Sequence, residues 1–275
     1  GLVSCLCGLL ATAEHAQAQP CNAQAAFCPP GTTCLVATNS AELLAHFATA
    51  TQNAPAPYRI YICCEGAPYT FTLGQLQAPG SAILVDSGAN VEIIGWCQGA
   101  PADAGEVVIQ GPGPAISCDP AMNTGITPVE DSSLFRLFRV NDGRLSMTGL
   151  TLRRGAAWFS IPSVSPVSAG GAVNVGTNGE FDATDCIFEE NLAASDGGAV
   201  FVEQGGLGDL NLNSCVFERN TALRQGGGVF TQRTANVIGG SFDCNFAGRP
   251  DNLGGPPYET SASGGAFYSD DANVT

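Results

Sequence analysis

Along the second half of the chain, apolar residues alternate with polar ones and then slip by one position. Leu145 and Met147 are followed by Leu150 and Leu152, Phe181 and Ala183 by Cys186 and Phe188, Leu210 and Leu212 by Cys215 and Phe217, and Ala235 and Val237 by Gly240 and Phe242. Alternation with period two places one set of side chains on one face of a strand, and the slip is what a bend between two short strands produces. Asn follows each of the last three Phe residues (Asn191, Asn220, Asn245). A Gly-Gly-small element comes a strand length later, at Gly197-Gly198, Gly226-Gly227 and Gly264-Gly265, with an earlier copy at Gly170-Gly171. FEENLAASDGGAVF at 188–201 thus returns as FERNTALRQGGGVF at 217–230, a spacing of 29. Asn and Gly tolerate positive φ, which predicts chain corners at these positions.

A unit of three short strands cannot bury its apolar face alone, but it can stack on its own copies. The expected fold is therefore all-β, a right-handed parallel β-helix whose coils rise by roughly 4.8 Å. In it Phe188, Phe217 and Phe242 form an internal aromatic stack, and Asn191, Asn220 and Asn245 form a ladder of side-chain amides. Cys186 and Cys215 stack as well, bonded or simply packed, with packing favoured. Cys244 is displaced relative to its Phe and leaves the inner row.

The first part of the chain reads differently. Gly1 to Ala13 is apolar but too short to span a bilayer, and Ala16-Gln17-Ala18 offers a small-x-small cleavage pattern, so residues 1–18 read as a secretory signal peptide incomplete at its start. Residues 19–58 read as a Cys-rich segment with a capping helix: Asn39-Ser40 is a good helix cap, and SAELLAHFATAT places Leu43, Leu44 and Phe47 on one face. From residue 59 to 275 short strand signals continue, with the repeats starting at about 134 and the last coil ending on an edge, which predicts further coils or a cap beyond Thr275. Ten Cys remain after the signal, consistent with an oxidising compartment. Cys21, Cys28, Cys34, Cys63, Cys64, Cys97 and Cys118 are the disulfide candidates, with connectivity left open. With two His and no CxxC pair, no metal site is expected.

The net charge is −15, and all ten basic residues are Arg. No basic stripe is present, so nucleic acid is not an expected partner, and no segment of the chain reads as a membrane span. The sequence from GGAVNVGTNGEFDATDCIFEENLAASDGGAVFV onward resembles the polymorphic outer membrane protein repeat, defined by GGA[ILV] and FxxN tetrapeptides. The upstream LFRVNDGRLSMTGLTLRRGAA resembles the coil that precedes such repeats in β-helices of the pectin-lyase-like fold. The resemblance covers roughly residues 80–275 and implies a secreted or cell-surface β-helix, in several family members an adhesin. The sequence departs from the pattern where GGG replaces GGA and in carrying no translocator barrel.

Because that fold also hosts polysaccharide lyases and hydrolases, Arg153, Asp182, Asp185, Asp209, Asp270 and Asp271 are weak catalytic candidates. Each has a plainer reading. Arg153 and Arg154 fill a corner held by Glu189-Glu190 and Glu218-Arg219 in later coils, as solvated turn residues. Asp182, Asp185 and Asp209 alternate with inward residues and so face outward. Asp270-Asp271 lacks the Gly-His-Gly that accompanies such a pair in polygalacturonases. GGLGDLNLN at 205–213 is a weak match to a calcium-binding nonapeptide, and Asn273-Val274-Thr275 is a glycosylation sequon. The expected function is a non-catalytic scaffold binding glycans or surface proteins without a cofactor. The rivals are a lyase or hydrolase with carboxylates converging from different coils, and a wall or sheath component stacked end to end.

Overall fold

The slip in the alternation is a backbone bend. Gly149, Asp185, Ser214 and Gly239 occupy it in successive coils with φ of 66°, 50°, 53° and 68°, the left-handed region. The computed structural model describes residues 28–64, 68–78, 80–97, 100–103, 106–119, 133–157, 168–205, 210–248 and 265–270. Residues 1–18, read above as a signal peptide, and Cys21, Asp209, Gly264, Asp271 and the sequon lie outside them.

Three parallel sheets run along the axis. The longest, of twelve strands, starts at Thr33–Ala37 and Pro57–Cys63 and continues through Ala89–Cys97, Arg136–Thr148 and Val173–Thr184. Beyond that the same path divides into Val200–Val202 and Leu210–Asn213, then Val229–Thr231 and Ala235–Ile238. The second sheet stacks Val108–Gln110, Thr151–Arg153, Ile187–Glu189, Val216–Glu218 and Ser241–Asp243. The third stacks Ala156–Ala157, Leu192–Ala193, Thr221–Ala222 and Phe246–Ala247. Ala100–Pro101 is antiparallel to its neighbour. This is a parallel β-helix with a short helix near its N-terminal end.

The helix, Ser40–Gln52, forms because Asn39 caps it: its Oδ1 accepts from the Glu42 amide at 3.0 Å. Glu42 answers by accepting from the Thr38 amide and hydroxyl, both at 2.8 Å, which holds its carboxyl below the usual range. Leu43, Phe47 and Ala50 are buried, and Phe47 meets Phe138 edge-on at 5.9 Å, so the apolar face closes onto the solenoid core. Leu44 is only partly buried.

Within the core, Phe188 and Phe217 stack at 4.6 Å and 5°, and Phe217 and Phe242 at 4.8 Å and 6°. The ring spacing equals the rise of one coil, so register and stacking enforce each other. A second aromatic row, Phe201–Phe230–Tyr268, lies at 5.4 Å spacings in a separate cluster with Ala169. Its rings recur 29 residues apart inside the same repeat, Phe201 to Phe230.

One correction concerns the corners. Asn191, Asn220 and Asn245 do not adopt positive φ; the residues before them do, Glu190, Arg219 and Cys244 at 55°, 54° and 51°. The physical reason is what the Asn side chain must do. A left-handed residue turns the chain so that the following amide points inward along the axis, where it bonds to the neighbouring coils. The Gly-Gly corners follow the expected conformation, with Gly170, Gly197 and Gly226 at 67°, 62° and 61°.

Arg233 is buried and collects carbonyls that a break in the sheet leaves over. The pairing of Val173–Thr184 with Arg136–Thr148 shifts between Val175 and Asn178. Arg233 donates to the carbonyls of Gly176, Thr177, Gly179 and Glu203 at 2.6–2.8 Å. A planar guanidinium supplies several donors in a fixed fork, which an ammonium cannot reproduce.

Three disulfides join described residues: Cys28–Cys34, Cys64–Cys97 and Cys118–Cys244. Cys63 is also disulfide-bonded. Cys186 and Cys215 are free and buried. Cys244, absent from the sequence candidates, closes the largest loop, 126 residues.

Candidate functional site

The side chains with chemistry collect on two outward-facing tracts. The first runs along the corner after the second sheet. In register, Gln110, Arg153, Glu189, Glu218 and Asp243 lie one above another. Beside them run the left-handed residues Arg154, Glu190, Arg219 and Cys244. Stacking like charges one coil apart is unfavourable, and the second row relieves it. Arg219 reaches Glu218 at 2.9 Å, Glu189 at 3.0 Å and Glu190 at 3.6 Å. Arg154 reaches Glu190 at 2.6 Å. Arg153 bonds the Gln110 amide oxygen at 2.5 Å and Glu189 at 3.5 Å. Arg153 and Arg154, read above as solvated turn residues, are partly exposed at the corner and are tied across coils by these contacts. As a partly exposed network, the pairs add specificity of register more than raw stability.

Behind this charged corner lies the amide ladder. Asn220 Oδ1 accepts from the Asn191 amide N–H and side-chain NH₂, both at 3.0 Å. Its Nδ2 donates to the Phe188 carbonyl at 2.8 Å and to Asn245 Oδ1 at 2.9 Å. Asn191 repeats the pattern toward Gly155 and Leu152, and Asn245 toward Asn220 and Phe217.

The second tract is the outer face of the long sheet. Register aligns Arg59, Glu92, Ser146, Asp182, Asn211 and Asn236 in one row. Arg59 pairs with Glu92 at 2.7 Å. Asp182 accepts from Arg144 at 2.6 Å, from Asn211 at 2.7 Å and from Ser146 at 3.4 Å. The remainder of the row, Asn211 to Asn236, is neutral, polar and partly exposed.

The catalytic candidates are thus dispersed. Arg153 stands on the second sheet, Asp182 on the long sheet with Arg144, Asp185 on an exposed bend, and Asp270 near Gln232 at 3.4 Å. Among the described residues no three His, Cys, Asp or Glu side chains come together to hold a metal ion. Among the described residues the one carboxyl with a raised pKa is Asp196, which sequence reasoning did not single out. Burial pushes its pKa up against the pull of Arg224, whose Nη1 is 3.6 Å from Oδ2, while Oδ1 is buried with no hydrogen-bond partner. A single Asp before a Gly-Gly corner gives no sequence signal for this, because burial depends on the coil above.

The consequence for pH is definite in sign. The folded pKa of Asp196 lies above its unfolded value, so folding favours the protonated form and the cost of the buried charge appears as pH rises through the folded pKa. Asp196→Asn is expected to melt a few degrees above the parent chain at pH 7. That advantage should shrink as pH falls toward the ordinary carboxylate range. Thermal melts of both chains between pH 4 and 7 check it, and a constant difference would contradict the assignment.

A stacked solenoid with paired charges on its corner and a polar row on its flank defines a class of repeat scaffold. Residues 185–203 match the Chlamydia polymorphic membrane protein (Chlamydia_PMP) repeat. That segment holds the left-handed Asp185, the stacked Phe188, the ladder residue Asn191, the Gly197-Gly198 corner and the strand Val200–Val202. No curated protein and no solved structure matches the chain. No described helix is long and apolar enough to cross a membrane.

Proposed function

We propose that the chain is a non-catalytic, secreted or surface-displayed β-helix whose flank binds glycans or other surface proteins. The match at 185–203 carries this reading, because the repeat it names is that of a polymorphic membrane protein and its residues here serve stacking and turning. The charge pattern supports it: Arg153, Arg154 and Asp182 are each engaged by protein partners instead of standing free toward a reacting group. The polar row Ser146–Asp182–Asn211–Asn236 offers a ligand regularly spaced donors and acceptors along the axis.

One observation favours the rival, a polysaccharide lyase or hydrolase. A buried carboxyl with a raised pKa is the kind of perturbation active sites carry, and Asp196 has it. A single experiment separates the two. The oxidised protein is immobilised and exposed to a panel of neutral and acidic polysaccharides, with retained sugar and new reducing ends measured in the same samples, with and without Ca²⁺. A scaffold retains polysaccharide and releases no ends, and changing Ser146, Asn211 and Asn236 together to Ala weakens retention about tenfold, equivalent to roughly 1.4 kcal/mol. Release of ends that Asp196→Asn abolishes would replace the scaffold reading with the enzyme.

A further inference from the structure

The loop that follows Val108–Gln110 does not stay within its own coil. The Gly111 amide donates to the Arg153 carbonyl at 2.8 Å and the Gly113 amide to the Arg154 carbonyl at 2.7 Å. From there the chain turns along the axis. Ile116, buried, packs with Ala156 and Leu192 in an apolar cluster separate from the main core, flanked by Leu134, Ala194 and Leu223. Cys118 then bonds Cys244. Cys244 holds the corner position that Arg154 holds three coils earlier, by way of Glu190 and Arg219. Three coil rises come to roughly 14 Å, and five extended residues reach about 17 Å. Residues 113–118 therefore form a nearly straight strap laid across the outside of the third sheet.

What secures the strap is unequal along its length. Backbone hydrogen bonds from Gly111 and Gly113 fasten its start, Ile116 packs and Ser117 Oγ accepts from the Asp119 amide at 3.1 Å further along, and the disulfide ties its end covalently. Cys118 is exposed, whereas Cys28, Cys34, Cys63, Cys64 and Cys97 are all partly or fully buried. Thiolate attack on a disulfide requires access to a sulfur, so among the three disulfides between described residues this bond is the one a reductant reaches first. With the bond open, the segment loses its covalent tie across the coils, and short surface segments outside the sheet ladders fall at the low-stability end of local unfolding. Its departure takes Ile116 away from Ala156 and Leu192, the buried residues it packs with.

We propose that residues 111–118 are a redox-released strap, latched by Cys118–Cys244, that covers an apolar strip on the third sheet. The reductant is a small thiol or dithiol. Its thiolate attacks Cys118 Sγ, the S–S bond breaks with its electron pair going to Cys244, and a second thiol resolves the mixed disulfide. The products are Cys118–SH, Cys244–SH and the oxidised reductant, two electrons having moved to the protein. Cys244 sits at a coil corner between Phe242 and Asn245, but the Asn ladder and the aromatic rows that hold the coils together do not run through its sulfur, so the coils persist.

The test is graded reduction of the folded full chain by dithiothreitol, with thiol alkylation mapped by peptide mass and amide hydrogen exchange read in parallel. Cys118 and Cys244 should be alkylated at least about tenfold faster than Cys28, Cys34, Cys64 and Cys97. Over the same interval the amides of Gly111 and Gly113 should lose about tenfold or more of their protection while those of Asn191 and Asn220 keep theirs. A Cys118→Ser, Cys244→Ser double variant should show the released exchange pattern without reductant. Three results would overturn the proposal: equal rates for the Cys28–Cys34, Cys64–Cys97 and Cys118–Cys244 bonds, reduction with strap protection unchanged, or loss of protection across the coils together with the strap.

Discussion

Replacing Gly198 with alanine is expected to disrupt the stacking of two coils and to cost more than about 3 kcal/mol, the upper end of what overpacking does. A Cβ on Gly198 would stand 2.0 Å from the Gly227 carbonyl oxygen and 2.7 Å from the Thr221 amide nitrogen. Both are backbone atoms of the next coil, fixed by the parallel ladder, so neither can rotate away as a side chain would. The strain therefore spreads into the coil spacing itself. Gly239 provides the control: unlike Gly198 it has a positive φ, 68°, but its nearest neighbour to a Cβ is Ser214 Oγ at 3.6 Å. Gly239→Ala should cost only the left-handed penalty of about 1–2 kcal/mol. Urea titrations followed by circular dichroism measure both, and a Gly198→Ala midpoint no lower than that of Gly239→Ala would contradict the close coil approach.

Asn220→Ala is expected to cost about 3–4 kcal/mol, since each buried polar group left without a partner costs roughly 1–3 kcal/mol and several are orphaned at once. The change strands the Asn191 amide and side chain, the Phe188 carbonyl and part of Asn245. Asn220 and Asn191 are fully buried, so water cannot step in without opening the corner. Asn220→Asp should be no milder at neutral pH, because a carboxylate accepts but cannot donate to Phe188. Its stability should partly recover on acidification, since burial raises the pKa of the introduced acid and the neutral form is favoured. A loss below about 1 kcal/mol for Asn220→Ala would mean that the ladder is incidental to stability.

How far the sequence speaks for itself can be argued from single residues. Period-two alternation with a slip marks where strands lie and bend, and recurrence at 29 marks which Phe and Asn residues share a row, because stacked coils repeat their environment. The Asn39 cap and the Leu43–Phe47 spacing mark the helix for the same local reason. The left-handed conformation at Glu190 and Arg219 leaves no such mark, because charged residues there resemble an ordinary solvated turn. Pairing of Arg219 with three carboxylates depends on which coil lies above which. Arg233 occupies a single break in the sheet and has no repeat to announce it. Cys118 and Cys244 meet only because a strap crosses three coils, a relation with no periodicity at all.

The long disulfide loop also decides how the chain carries force. Tension applied to the sequence on either side of Cys118 and Cys244 passes through the sulfur–sulfur bond and bypasses the 126-residue loop between them. Roughly 400 Å of contour length is thereby withheld from extension. While that bond is intact, the Asn191 and Asn220 rungs of the amide ladder and most of the aromatic stack bear no load, and a pull that unravels the chain outside the loop leaves the coils within it assembled.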